Sequence, residues 1–278
     1  MQQSTNAPHK IAFIGAGNMA KAIISGLLAE GLKRINLFAS GPRQESLDRV
    51  ASEFGINIST DNAATAAGAD VIVLAVKPQM LKEVCLGLAD SLSYKPLIIS
   101  LAAGITTDSI SAWLGGEHAI VRCMPNTPSQ VRVGASGLFA NGNVSHAQKS
   151  TTNTILGAVG VVQWVEDEAL INPVTAVSGS GPAYFFLVME AMIDAGVELG
   201  LTHAAATELT LQTALGAAIL AKQSDVDVAE LRRRVTSPKG TTEQAINSFE
   251  NDQIRAMFSR AMTACSNRAV ELSELLGK

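Results

Sequence analysis

Aromatic residues make up only 4% of the 278-residue sequence, so any core must be aliphatic and rich in alanine. Positive charge is also scarce. Lys and Arg number 21 against 25 Asp and Glu, and the net charge of −4 argues against nucleic acid or an anionic membrane as a main partner. An anionic ligand would need local help from loops and helix ends. No uninterrupted apolar run reaches transmembrane length. The polar start, Met1 to Lys10, lacks the apolar stretch of a secretory signal. Cys85, Cys123 and Cys265 are odd in number, far apart and match no zinc spacing. They read as reduced thiols, used as small buried hydrophobes in a cytoplasmic protein. His9, His118, His146 and His203 are scattered, so no metal site is expected.

What remains is a chain that is 47% hydrophobic, enough for a sizeable core. Through about residue 166, short β-branched runs alternate with helical stretches. Strands are expected at Lys10–Ile14, Ile35–Ala39, Val71–Val76, Leu97–Ser100 and Ala119–Arg122, and helices at Asn18–Ala29, Arg43–Phe54, Gln79–Leu88 and Thr106–Leu114. Near-continuous apolar strands are buried on both faces, which predicts a doubly wound, Rossmann-like α/β domain with a parallel sheet. Val133–Ala140 and Val161–Val165 would add edge strands around a helix near His146–Leu156. Residues 167–278 read as a separate, all-α domain. Tyr184–Leu199 and Ala204–Lys222 are apolar on nearly every face, more than this chain alone can bury, so a partner subunit is expected to cover the rest.

Strand Ile11–Ile14 runs into Gly15-Ala16-Gly17-Asn18-Met19-Ala20, the G-x-G-x-x-A fingerprint of dinucleotide sites. Gly15 permits the turn, Gly17 lets backbone approach a pyrophosphate, and Asn18 and Met19 open a helix whose free N–H groups attract anions. A merely structural glycine turn is the alternative. After the second strand comes Ser40-Gly41-Pro42-Arg43, with no carboxylate before Glu45. The acid that would hold an NAD ribose is missing, while a hydroxyl, a turn and an arginine suit a 2′-phosphate. NADPH is therefore favoured, with NADH still tolerated, against Arg43 as a plain solvated residue. Ala75-Val76-Lys77-Pro78 follows another buried strand, where sheet ends face a ligand crevice. Lys77 there is either a cofactor contact or an exposed loop lysine. Met124-Pro125-Asn126 lies in a loop that two prolines stiffen, either beside a nicotinamide or as a rigid turn.

In the helical half, Val177–Tyr184 and Val235–Thr242 are polar and glycine-rich where packing alone would not need them. Each brings hydroxyls and N–H groups to a helix start, which suits a carboxylate. Simple N-capping by Ser237 or Thr241 competes, but explains one hydroxyl rather than four. The run Arg232-Arg233-Arg234 reads as a solvated helix C-terminus.

Leu231, Val235-Thr236-Ser237, Lys239-Gly240-Thr241-Thr242, Ala245-Ile246 and Phe249-Glu250 together resemble the signature segment of the pyrroline-5-carboxylate reductases. Gly15–Ala20, Ala75–Gln79, Arg122–Pro128 and Ser178–Tyr184 fall in that family's order and spacing, so the resemblance covers the chain beyond its first nine residues. It implies reduction of 1-pyrroline-5-carboxylate to L-proline by NADPH, the last step of proline biosynthesis, in a homodimer joined by its C-terminal helices, with further association of dimers open. The resemblance places the substrate carboxylate on Ser237, Gly240 and Thr241, gives Thr242 the ring nitrogen as the catalytic contact, and points Asn62 and Lys77 at the cofactor. Lys239 stands where the family often has glycine. Three rivals stay open. A β-hydroxyacid dehydrogenase would need a helical lysine base, and Tyr184–Ala221 contains no lysine. A reductase of another cyclic imine and an NADPH-sensing regulator without chemistry are the others.

Overall fold

A computed structural model describes residues 10–277; the reading of the polar start, and His9, lies outside them. The chain divides into two compact units, one running to Ser180 and including the stretch from Cys265 onward, the other Gly181–Ala264. In the first, β1 (Ile11–Ile14), α1 (Asn18–Ala29), β2 (Leu37–Ser40), α2 (Gln44–Phe54), β3 (Asn57–Ser59), α3 (Asn62–Ala66), β4 (Val71–Leu74) and α4 (Pro78–Leu88) follow one another. Then come β5 (Leu97–Ser100), α5 (Thr107–Trp113), β6 (Ala119–Met124), β7 (Gly134–Ala140), α6 (His146–Gly157), β8 (Gly160–Trp164) and α7 (Ile171–Val174).

The strands form one sheet in the order β3-β2-β1-β4-β5-β6-β7-β8. Every neighbouring pair is parallel except β6 and β7. Because the sheet is covered on both faces, alternate residues of one strand feed two cores. Ile11 and Phe13 pack with Ile23, Ile24 and Leu27 of α1. Ala12 and Ile14 pack with Leu81 and Leu88 of α4 and Ile110 of α5. Ile14 is level with both Ser40 and Leu74, so the loops after β1, β2 and β4 emerge side by side.

Three details depart from expectation. Ile35 falls in a 3-10 turn and is exposed, so β2 starts at Leu37. β7 is an interior, antiparallel strand rather than an edge, and only β8 and β3 are edges. Finally, the first unit continues past residue 166. Glu168 is tied into it, accepting hydrogen bonds from the Thr107 N–H (2.8 Å), the Thr107 hydroxyl (2.9 Å) and Arg122 (3.2 Å). Arg122 is buried within β6, where desolvation lowers its pKa and the Glu168 charge opposes that shift.

The second unit is helical: α8 (Gly181–Glu198), α9 (His203–Gln223), α10 (Val228–Arg234), α11 (Thr241–Asn251) and the first part of α12 (Ile254–Leu276). Thr202 caps α9 and Asp227 caps α10, each through the backbone N–H three residues on. α8 packs on α9, yet both leave wide apolar faces open. Phe185 is 67% exposed, Leu187 65% and Leu215 55%. By length and composition alone, Glu168–Glu198 and α9 would also pass as membrane-crossing, a test that core helices of soluble proteins pass as well. The arginine run ends α10, as expected there. Arg233 and Arg234 pair with Glu230, and Arg232 pairs with Glu250.

Candidate active site

The three adjacent loops frame a cavity of about 650 Å³, within the usual range of roughly 300–1,000 Å³ for cofactor sites. Gly15 takes φ +99°, and a Cβ there would stand 2.8 Å from the Ala75 carbonyl carbon and oxygen. Only glycine lets the β1 and β4 loops touch in this way. At Gly17, by contrast, a Cβ would meet nothing within 4 Å; the residue is the N-cap of α1 and faces open space. It offers no capping side chain, and no acid occupies the first turn. The helix start therefore keeps its N–H groups for an anion.

Around this cradle Gly41, Arg43 and Ser46 come from the β2 side, Asn62 from α3, and Val76 and Lys77 from the β4 side. Arg43 and Lys77 are exposed, and among the described residues neither enters a salt bridge. Ser40 behaves differently from the expected clamp. It is fully buried, does not line the cavity, and donates its hydroxyl to Asn62 Oδ1 at 2.7 Å. Ser46, in the first turn of α2, lines it in that place. Sequence reading also missed Thr60, Met80, Glu83 and Val84, the last three on one face of α4. The glycine cradle, the uncapped helix and the unpaired arginine together fit a dinucleotide carrying an extra phosphate.

Several expected residues stand outside this cavity. Asn18 is exposed in the first turn of α1, and Met19 packs against the core. Ala75 and Pro78 hold the β4 turn, where the Ala75 N–H reaches the Ile14 carbonyl at 2.8 Å. Met124 ends β6, followed by buried Pro125. Asn126 is buried and held at both side-chain atoms: it donates to the Ser178 carbonyl at 3.0 Å and accepts from the Ala135 N–H at 2.8 Å. Cys85 and Cys123 are buried as expected, their thiols pushed up to about 12 by desolvation, whereas Cys265 is only partly covered.

In the second unit, the Ser237–Gly240 turn leads into α11. Gly240 is the N-cap and makes no side-chain cap bond, so plain capping does not account for Ser237 or Thr241. Ser237, Thr241 and Thr242 are exposed, and among the described residues their hydroxyls make no hydrogen bond. Thr236 instead bonds back to the Arg232 carbonyl. Lys239 takes φ +60°, the left-handed region that favours glycine, and its N–H donates to the Glu243 carboxylate at 2.8 Å. The start of α11 thus presents exposed hydroxyls, while the Glu243 carboxylate in its first turn takes the Lys239 N–H.

Comparison with known proteins converges on one family. Residues 168–272 match the model described as pyrroline-5-carboxylate reductase dimerisation, and residues 10–104 match the one described as NADP oxidoreductase, coenzyme F420-dependent. A pyrroline-5-carboxylate reductase of Pseudomonas aeruginosa is 55% identical, over 97% of this chain and 98% of that protein. The solved reductase of Coxiella burnetii superposes with a TM-score of 0.93 at 49% identity, covering 96% of this chain and 99% of the other. That of Plasmodium falciparum, solved with NADP bound, gives 0.84 at 32% identity, covering 95% and 98%. With a glycine-cradled helix start, a hydroxyl-bearing one and likeness along the whole length, the chain belongs to the pyrroline-5-carboxylate reductase family.

Proposed function

We propose that this chain reduces 1-pyrroline-5-carboxylate to L-proline with NADPH, closing proline biosynthesis. The observation that carries the reading is the uncapped α1 start beside unpaired Arg43, in a cavity whose β2 side offers no ribose-binding carboxylate. Gly15 and Gly17 take the pyrophosphate, and Arg43 with Ser46 takes the 2′-phosphate. Asn62, held by Ser40, and Lys77 serve the ribose side. When bound, NADPH supplies the hydride.

The substrate carboxylate we assign to Ser237, Gly240 and Thr241, where N–H groups and free hydroxyls meet the positive end of α11. Thr242 is the catalytic contact to the ring nitrogen. An iminium accepts hydride far better than a neutral imine, so these residues need only orient the ring and stabilise the cation. The open faces of α8 and α9 support a homodimer through the C-terminal helices. Free thiols, two of them deeply buried, fit a reducing compartment, and we assign the cytoplasm.

The test is to supply purified protein with 1-pyrroline-5-carboxylate and each cofactor. NADPH should be consumed in step with proline release, faster than NADH. Binding of NADPH with no turnover would leave a sensor in place of an enzyme. Faster turnover of a six-membered imine would replace the substrate.

A further inference from the structure

The segment Val177–Tyr184 drew notice in the sequence, yet none of the roles above uses it. Residues Thr175–Gly179 form a π turn, in which the Ser180 N–H reaches back five residues to the Thr175 carbonyl at 2.8 Å. Wide turns of this kind are rare and recur at functional sites. In an ordinary helix the Ser178 carbonyl would accept from residue 182, but that residue is Pro182, which has no N–H. The orphaned carbonyl is claimed by Asn126 Nδ2 at 3.0 Å. One residue on, Gly179 lies directly against Met124. A Cβ on Gly179 would stand 2.5 Å from the Met124 Cε.

Two independent contacts therefore tie this turn to the loop that ends β6. One fixes Asn126 by hydrogen bonding; the other shapes the space occupied by Met124. Both polar atoms of the Asn126 side chain thus have protein partners, Nδ2 on Ser178 and Oδ1 on Ala135. We infer that the π turn Thr175–Gly179 positions the Met124–Asn126 loop for hydride transfer, and that Asn126 is a positioning residue held by Ser178 rather than a cofactor ligand. The inference rests on the NADPH-dependent reading above and assigns a job to the one glycine-rich segment that reading leaves idle.

Asn126→Asp keeps the acceptor for Ala135 but sets a carboxylate oxygen against the Ser178 carbonyl. Misplacing a reacting group slightly can cost up to about a hundredfold in rate, so kcat should fall roughly tenfold or more while the NADPH Kd moves less than about threefold. Equal losses in rate and in NADPH affinity would make Asn126 a ligand and overturn the inference. Gly179→Ala acts through Met124 if the contact matters. It should lower kcat in the natural background and add less than about a twofold loss in a Met124→Ala background, the signature of coupled neighbours. The same loss in both backgrounds, or none in the first, would refute the link. Failure of the parent reading looks different: there the unsubstituted protein itself fails to oxidise NADPH with substrate present.

Discussion

The two units solve opposite problems. The first is self-sufficient: β1, β4 and β5 are buried throughout, and its site residues are held by neighbours, as Ser40 holds Asn62 and Ser178 holds Asn126. In the second unit apolar helices stand open, and the hydroxyls at the start of α11 have no partner among the described residues. A rigid scaffold can grip a ligand alone, whereas a face like that of α8 reaches its lowest free energy only when something covers it. The comparison teaches that the nucleotide half should tolerate isolation, and that the helical half should depend on assembly and on substrate.

The largest expected effect tests that dependence. Leu187→Glu would bury an unpaired charge in the α8 face, at a cost of several kcal/mol, so subunit association should weaken by at least about a hundredfold. Sedimentation velocity reads this directly; a natural protein that is already monomeric at every concentration would break the contrast. Next in size, Thr242→Ala should lower kcat about a hundredfold, the order of loss expected when a reacting ring is no longer held in place. Fluorescence titration should show NADPH affinity nearly unchanged, because the cofactor belongs to the other unit. Matching losses would mean the hydroxyl is misassigned.

Arg43→Ala should weaken NADPH about tenfold, since a charged hydrogen bond contributes about 1.5–3 kcal/mol, and leave NADH nearly untouched. An equal effect on both cofactors would remove the 2′-phosphate from this corner. Smaller again, Ser40→Ala releases Asn62 and should cost about one neutral hydrogen bond, a few-fold in NADPH affinity with kcat preserved. The smallest effect sharpens the picture of the first unit's rigidity. Burial holds His118 below its ordinary pKa, with the Lys95 charge adding and a backbone bond to Leu114 opposing. The unfolded chain then takes up a proton on acidification before the folded one does. Stability should be unaffected above the ordinary histidine value of 6.5 and fall as pH drops below it. His118→Gln should flatten that limb in thermal melts followed across pH.

Much of this contrast is readable before folding. Asn18–Ala29 and Leu97–Ser100 form where the pattern places them, because a strong apolar period leaves a short segment little choice. The short polar β3 carries no such signal, and it appears only because β2 offers it a free edge. Parity explains Ser40: in a sheet covered on both faces, alternation does not tell which side chain points inward. Ser46 and the α4 face of Met80, Glu83 and Val84 were hidden because cavity walls come from elements far apart in sequence. The π turn leaves no trace in hydrophobic periodicity, although Pro182, by orphaning a carbonyl, was a legible hint. Lys239 was noticed as standing in a glycine position, and its left-handed backbone gives the physical reason glycine suits that place.

One isotope experiment bears on the central claim that the protein moves a hydride from NADPH to the ring of 1-pyrroline-5-carboxylate. NADPH deuterated at the transferring position of its nicotinamide is mixed with excess enzyme and 1-pyrroline-5-carboxylate for a single turnover. Mass spectrometry should then find one deuterium in each proline formed, matched to the NADPH oxidised. Proline without the label, or cofactor oxidised with no proline formed, would contradict the account.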